Sequence, residues 1–274
     1  MVSITVNDFD LGQIAESGQC FRMNYIGRGS YSMIAFDKYI EVSQLGNTLI
    51  FFCTSEEYEG FWKDYFDIDT DYTEIKRNAK YDVYLSKAMQ YATGIRILKQ
   101  DLFEMLITFI ISQRKSIPSI KKCVKTLSYR YGKEISGLNR NGSTVIVNAF
   151  PTPEDLSRVS ISDLRECGLG YRDVYVYDAA KWFCKEYPKI DMERFKKEYP
   201  FAKNVLQSIN GVGDKIANCV CLFALHQLQA CPIDTHMHQI IDKEYHGIMP
   251  EWMVSDKAGV FQQYCFYYKR NYME

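Results

Sequence analysis

Two side chains nineteen residues apart carry the most legible chemistry in this chain. Lys215 follows the glycine pair of Ile209-Asn210-Gly211-Val212-Gly213-Asp214-Lys215, and Asp234 lies downstream in Pro232-Ile233-Asp234-Thr235-His236. An amine and a carboxylate, each near the start of an expected helix, are what covalent attack on an electrophilic carbon needs. The amine forms the new bond and the carboxylate steadies the positive charge that develops.

Gly211 and Gly213 permit positive backbone dihedrals and close approach of another backbone, and the run Lys215 to Leu225 reads as a largely buried helix. A tight turn that opens a helix leaves free amides able to hold a phosphate. Leu206 and Ile209 fall three apart on one side of a preceding helix, so the segment near 204–226 reads as a helix-hairpin-helix unit. A lysine in a helix's first turn gains nothing from the dipole, which makes a chemical role a better account of Lys215 than a solvated one. Asp234 before Thr-His-Met-His reads by itself as an N-cap; pairing with Lys215 makes it a catalytic candidate.

The elements that must position this pair divide near residue 92. Before it, Tyr31 to Phe36, Lys38 to Val42 and Thr48 to Phe52 are short β-rich stretches broken by Asp37 and Gly46-Asn47, which predicts an antiparallel sheet. Helical patterns over 56–64 and 81–91 are expected to cover that sheet. From Asp101 onward the periodicity is helical: Leu102 to Ile110 gives a buried stripe, and Pro153-Glu154-Asp155 starts another helix. Residues 132–150, with three glycines, read as a loop. The expectation is an α+β fold: an N-terminal antiparallel-sheet domain over 1–92 and a mainly helical domain over 93–274, with the active cleft between the halves of the latter.

Composition narrows the function class. The 274 residues are 47% hydrophobic and 24% charged, as in globular chains. No run of eighteen apolar residues occurs, and Met1 to Asp8 has neither a basic nor an apolar leader region, so membrane insertion and secretion are not expected. Nine cysteines, an odd number at irregular spacing, fit reduced thiols in a cytoplasmic protein, nucleoid-associated if the source is prokaryotic. His236 and His238 have no third ligand in range, which argues against a zinc site. The net charge of −1 hides an uneven distribution: residues 1–90 carry 8 basic and 14 acidic side chains, 91–150 carry 10 and 3, and 151–274 carry 15 and 17. A basic middle segment with Arg114, Lys115, Lys121, Lys122 and Lys125 can supply a footprint for nucleic acid.

Read together, these segments resemble the helix-hairpin-helix DNA glycosylase superfamily, and specifically its 8-oxoguanine branch. Besides the hairpin, Ser17-Gly18-Gln19-Cys20-Phe21-Arg22 is similar to the family's S-G-Q-x-F-R element, and Gly94 to Asp101 to its G-x-R-x-L-x-Q-D entry to the helical core. Gly168-Leu169-Gly170-Tyr171-Arg172 matches its G-L-G-Y-R loop, and Ala258-Gly259 with Gln262 and Phe266 its C-terminal helix.

The resemblance implies a bifunctional glycosylase and apurinic/apyrimidinic lyase acting on damaged double-stranded DNA as a monomer. Lys215 is implied as nucleophile and Asp234 as the supporting carboxylate. Gly18 would offer its carbonyl to the N7 hydrogen of 8-oxoguanine, Cys219 and Phe266 would sandwich the extruded base, and Gln262 would read its Watson–Crick edge. Tyr171 and Arg172 would enter the duplex, and His236, Gly211 and Gly213 would meet phosphates. A structural monovalent or divalent cation is implied at the carbonyls of Gln207, Ile209 and Val212. No redox cofactor is expected, and no iron–sulfur cluster, because only Cys265 follows Cys231.

The chain departs from the family pattern after F-I-x-S: paired asparagines are replaced by Arg114 and Lys115, which would form a cationic wedge, and a second opposite-base arginine falls on Ser119. The residues alone leave two other readings open. One is a monofunctional alkylated-base glycosylase of the 3-methyladenine type, whose hairpin lacks the lysine. The other is a non-catalytic helix-hairpin-helix DNA-binding module.

Overall fold

The computed structural model describes residues 1–77, 79 and 81–272. Five strands, β1 Val2–Thr5, β2 Met23–Gly27, β3 Ser30–Ala35, β4 Lys38–Leu45 and β5 Thr48–Phe51, form an antiparallel sheet in the order β1-β5-β4-β3-β2. The β4–β5 connection is Gly46-Asn47, with Gly46 at φ +58, and it sets the register Val42↔Phe51 and Leu45↔Thr48. Side-chain alternation then turns Met33, Ile40, Val42, Leu49 and Phe51 to one face. There they pack with Leu11 and Ile14 of the Leu11–Glu16 helix and with Tyr58, Trp62, Tyr65 and Phe66 of the helical run that follows β5.

The second core is helical, and it takes in a segment that sequence periodicity assigns to the sheet. The helix Val83–Tyr91 buries Tyr84, Leu85, Ala88 and Met89 among the helices of the larger half, and Tyr84 meets Tyr268 of the C-terminal helix Ala258–Tyr272 at 5.6 Å between centroids. The pattern over 81–91 is that of any amphipathic helix; which core receives its face is a tertiary matter. The helix Leu102–Ser112 is buried all round from Phe103 to Ile111, where a single stripe was expected, because it runs through the centre of this core.

Residues 132–150 are not a loop. They form the hairpin β6 Glu134–Leu138 and β7 Thr144–Asn148. Its strands are half exposed, so little apolar alternation marks them. Its turn is held by Asn139 Oδ1, which accepts the amides of Asn141 at 3.0 Å and Ser143 at 2.9 Å. The Arg140 side chain donates to Ser30 Oγ at 3.1 Å, docking the hairpin on the first sheet. Among the described residues no helix is long and apolar enough to cross a membrane.

Candidate active site

The helix-hairpin-helix expectation corresponds to the helices Tyr199–Gln207 and Asp214–Phe223. Gly211 sits at φ +84, and a Cβ there would lie 2.5 Å from Tyr175, so both backbone freedom and close approach require glycine. Gly213 needs neither. It is an extended N-cap at φ −90 and ψ −175 with no atom near its missing side chain, which corrects the sequence expectation for that residue. The helix dipole is answered by Asp214, which pairs with Lys203 at 2.6 Å and accepts from Asn218 Nδ2 at 2.8 Å. Lys215, one residue on, is thereby left to point elsewhere.

It points into a cleft of about 740 Å³ lined by Gly18, Phe109, Arg114, Lys115, Lys215, Asp234, His236 and Phe266, among others. At its base a narrow recess of about 40 Å³ is bounded by Gly18, Phe109, Lys215, Cys219, Asp234, Gln262 and Phe266. Lys215 and Asp234 belong to both, which places them at the lip between cleft and recess. Six residues implied by the resemblance as catalytic or base-contacting, from four separate segments, thus converge on one small volume.

Each wall has a local cause. Asp234 caps the helix Thr235–Glu244, its Oδ1 accepting the Met237 amide at 2.9 Å; the other carboxylate oxygen is not used by the cap. Gly18 follows the C-cap of Leu11–Glu16 at φ +76, and a Cβ there would approach Phe266 Cε1 to 3.3 Å. The Gly18 turn is fixed through its neighbour Gln19. That side chain donates to the Arg96 carbonyl at 2.8 Å and accepts from the Leu98 amide at 2.9 Å. Gln100 donates to the Gln19 carbonyl at 2.9 Å, and the Gln100 amide donates to the Phe223 carbonyl at 2.9 Å. The S-G-Q turn is therefore fastened, through the strap 96–100, to the end of the helix that carries Lys215.

Electrostatics inside the recess keep its thiol inert. Burial pushes the Cys219 thiol up to about 11, with Lys215 opposing and Asp234 reinforcing the shift. Cys219, 2% exposed, is accordingly a neutral wall of the slot. Gln262 Oε1 accepts from Gln263 Nε2 at 3.0 Å, which leaves the amide hydrogens of Gln262 for an acceptor in the recess. His236 stands edge-on to Phe266, with ring centroids 5.4 Å apart.

Phe109 is a site residue that the sequence does not single out. Lys215 Nζ lies 5.1 Å from its ring centroid, and Phe109 lines both cleft and recess. It belongs to an apolar helix pattern, and nothing in that pattern distinguishes a core position from a cavity wall.

The wedge residues are differently placed. Tyr171 is 53% exposed and covers the Arg172 guanidinium, 4.3 Å away, but neither lines the cleft. Arg172 is 6% exposed: its guanidinium donates to the Gln113 carbonyl through Nε at 2.7 Å and also through Nη2, and to the Leu169 carbonyl at 3.1 Å. Lys115 Nζ donates to the Gly168 carbonyl at 2.8 Å, and the Gln113 side chain to the Gly211 carbonyl at 3.3 Å. The loop after Leu102–Ser112, the 168–172 loop and the hairpin turn are thus latched together. Arg114 is exposed at the cleft, with φ +50. In the hairpin, the Ile209 carbonyl already accepts the Val212 amide at 3.0 Å, and Gln207 ends its helix with a carbonyl that lacks an intrahelical partner.

Residues 1–106 match the family model described as 8-oxoguanine DNA glycosylase, N-terminal domain. The solved structure of MBOgg1 in complex with a low-affinity DNA ligand is 33% identical, with a TM-score of 0.90 over 99% of this chain and 96% of that one. An 8-oxoguanine glycosylase/lyase of Clostridium acetobutylicum, solved with double-stranded DNA containing cytosine opposite 8-oxoguanine, is 32% identical, with a TM-score of 0.89 over 98% of this chain and 94% of that one. The N-glycosylase/DNA lyase of Saccharomyces cerevisiae is 34% identical over 56% of this chain, a match that spans 42% of the yeast protein. With a converged lysine–aspartate slot and that likeness along almost its whole length, the chain belongs to the 8-oxoguanine DNA glycosylase family.

Proposed function

We infer that the protein is a bifunctional DNA glycosylase and apurinic/apyrimidinic lyase that removes 8-oxoguanine from duplex DNA and then cleaves the strand. The observation that carries this reading is the shared lip: an amine and a carboxylate border a recess walled by Gly18, Cys219, Gln262 and Phe266. C1′ of a stacked nucleotide is out of reach of a side-chain amine, so the lesion must swing out, at an unstacking cost of roughly a few kcal/mol. Cleft and recess together supply the space for it.

In the proposed chemistry the Lys215 amine forms a bond to C1′ as the N-glycosidic bond breaks; the bond's electron pair leaves with the base, which takes up the proton that the attacking nitrogen gives up. Asp234, one carboxylate oxygen free of the cap, stabilises the cationic sugar. The sugar ring opens to a Schiff base on Lys215; loss of a C2′ proton then expels the 3′ phosphate, and water releases the enzyme. Cys219 and Phe266 would face the two sides of the base and Gln262 its edge. The Gly18 carbonyl would accept the N7 hydrogen. Backbone carbonyls of Gln207, Ile209 and Val212 are hard oxygen donors of the kind a monovalent or divalent cation takes, and we propose them as its ligands; such an ion would make the hairpin turn more attractive to a phosphate. No redox group enters the scheme. We propose that the protein works as a monomer in the cytoplasm, a setting supported by nine free cysteines.

Borohydride trapping on an 8-oxoguanine duplex tests the reading. A covalent protein–DNA product that requires Lys215 is expected; base release without trapping would make the protein monofunctional, and neither would make it a binding module.

A further inference from the structure

Behind the active cleft lies a second cavity, of about 470 Å³, that the glycosylase reaction does not use. It has three walls: Asn24 of β2 with Ile34 of β3, the face of the helix Ile117–Tyr131 that carries Lys121, Lys125, Ser128 and Tyr129, and Val147 with Asn148 of β7. Phe21 and Arg22 close its inner end. Phe21 also lines the active cleft, so one ring separates the two spaces.

The chemistry of the walls is specific. Lys121, Lys122, Lys125 and Arg22 are among the lining residues, and no carboxylate is. Arg22 is paired with the buried Glu104 at 3.3 Å, whereas Lys121, whose Nζ donates to the Met23 carbonyl at 3.4 Å, Lys122 and Lys125 form no ion pair among the described residues. Between them the surface is apolar and aromatic, from Phe21, Ile34, Tyr129 and Val147. Two asparagines supply amide edges; Asn148 spends its Nδ2 on the Gly132 carbonyl at 3.2 Å, leaving its side-chain oxygen to accept. Independently of the charges, Ser128 is 4% exposed, and its buried hydroxyl has no hydrogen-bond partner among the described residues. A polar group of a ligand that reaches Ser128 would give that hydroxyl a partner.

We propose that this cavity binds a mononucleotide, a flat polar ring carrying one phosphate. The ring would lie between Phe21, Ile34 and Val147 with its edge toward Asn148 and Ser128, and the phosphate would sit among Lys121, Lys122 and Lys125. The volume falls within the usual range for small-molecule sites, roughly 300–1,000 Å³. A DNA strand running along the helix would meet the same lysines but could not enter a space walled on three sides, and it would leave the apolar floor and Ser128 unused.

The experiment is calorimetric titration of the whole protein with adenosine, guanosine, cytidine and uridine 5′-monophosphates, repeated after saturation with a duplex containing an abasic-site analogue so that the active cleft is filled. At least one nucleotide is expected to bind in both states, and the matching nucleoside and inorganic phosphate each at least tenfold more weakly. Val147→Trp, which fills the floor, should abolish binding, and Lys125→Glu should weaken it about tenfold; thermal unfolding of both variants checks that they fold. Should Val147→Trp not fold, Ser128→Val serves as the floor variant, with a loss of at least threefold expected. The proposal is overturned by any of three results: no nucleotide binds, binding is displaced by the duplex, or inorganic phosphate binds as well as the nucleotide. Loss of duplex affinity in Lys125→Glu without nucleotide binding in the wild type would likewise overturn it and assign the helix to the duplex footprint.

Discussion

Asp234→Asn separates a cap from a catalyst at a single residue. Asp234 Oδ1 accepts the Met237 amide at 2.9 Å, and the asparagine side-chain oxygen can make the same bond. Asparagine and aspartate are near-equal N-caps, so the cap itself costs a few tenths of a kcal/mol at most, to which loss of a charge at a helix N-terminus adds about 0.3–1 kcal/mol. For a chain of this size that is a fall in Tm of roughly 1–4 °C. The same substitution removes the only carboxylate that lines both cleft and recess among the described residues. Losing one preorganised electrostatic partner of a transition state costs about 10²–10³ in rate, or roughly 3–4 kcal/mol. Single-turnover base release and thermal unfolding should therefore diverge, a large rate loss beside a small stability loss. Asp234→Ala, which also loses the cap, should drop Tm by a further few degrees with little additional loss of rate. Wild-type excision by Asp234→Asn would refute the electrostatic role and leave only the cap.

Lys215→Gln should abolish base release and borohydride trapping while holding duplex affinity within a few-fold, measured by gel shift; trapping that survives removes Lys215 from the mechanism. Gly18→Ala should cost about 1–2 kcal/mol of stability, because an alanine must adopt φ +76, and should slow 8-oxoguanine excision more than it weakens binding to an abasic-analogue duplex, since the methyl lies 3.3 Å from Phe266 Cε1; unchanged excision would sink the slot assignment. Arg114→Asn should raise stability by up to about 1 kcal/mol, because asparagine tolerates the left-handed backbone at φ +50 better than arginine does; a lower urea midpoint would contradict this. Burial tends to raise the Asp67 carboxyl, but the His226 imidazole, with Nε2 3.2 Å from the carboxylate, and hydrogen bonds from Thr70 and Tyr72 outweigh it and hold the group at about 2, against an ordinary value of 3.8. Its stabilisation is therefore complete above about pH 4 and lost as pH falls toward 2, about 2 kcal/mol in all, and Asp67→Asn should flatten that limb of a urea-midpoint profile.

How much of this was legible in the sequence depended on whether the signal was local. The strands beside Asp37 and Gly46-Asn47 are visible because turn chemistry and alternation are written in adjacent residues. The β6–β7 hairpin escaped because half-exposed strands alternate weakly, although Asn139 to Ser143 carried a turn signal. The residues of the recess are visible only through motif resemblance, and the fold brings Gly18, Lys215, Cys219, Asp234, Gln262 and Phe266 to one place. Convergence of this kind is fixed by long-range packing, such as the bonds from Gln19 to the strap 96–100, and no local pattern encodes it. Phe109 and Gln113 carry no local signal for that reason: one looks like core, the other like the polar end of a helix, and their roles exist only once Lys215 and Gly211 are brought beside them.

The latch around Gln113 also sets what each arginine must give up to reach a DNA strand. For Arg172 to leave its place it must give up charge-assisted hydrogen bonds to the carbonyls of Gln113 and Leu169, each worth about 1.5–3 kcal/mol. A bidentate base contact returns about 1–3 kcal/mol, so the exchange does not favour release. Arg114 faces no such cost: it is exposed at the mouth of the cleft. We propose that Arg172 instead ties the wedge loop to the 168–172 loop, by capping the carbonyl that ends Leu102–Ser112, while the Gln113 side chain ties that loop to the hairpin turn. The replacement of an asparagine by Arg114 then becomes physically intelligible. A loop fixed from behind by Arg172, Lys115 and Gln113 presents a long cationic side chain forward at the mouth of the cleft, and we propose that its reach serves both the backbone phosphates and the vacated stack.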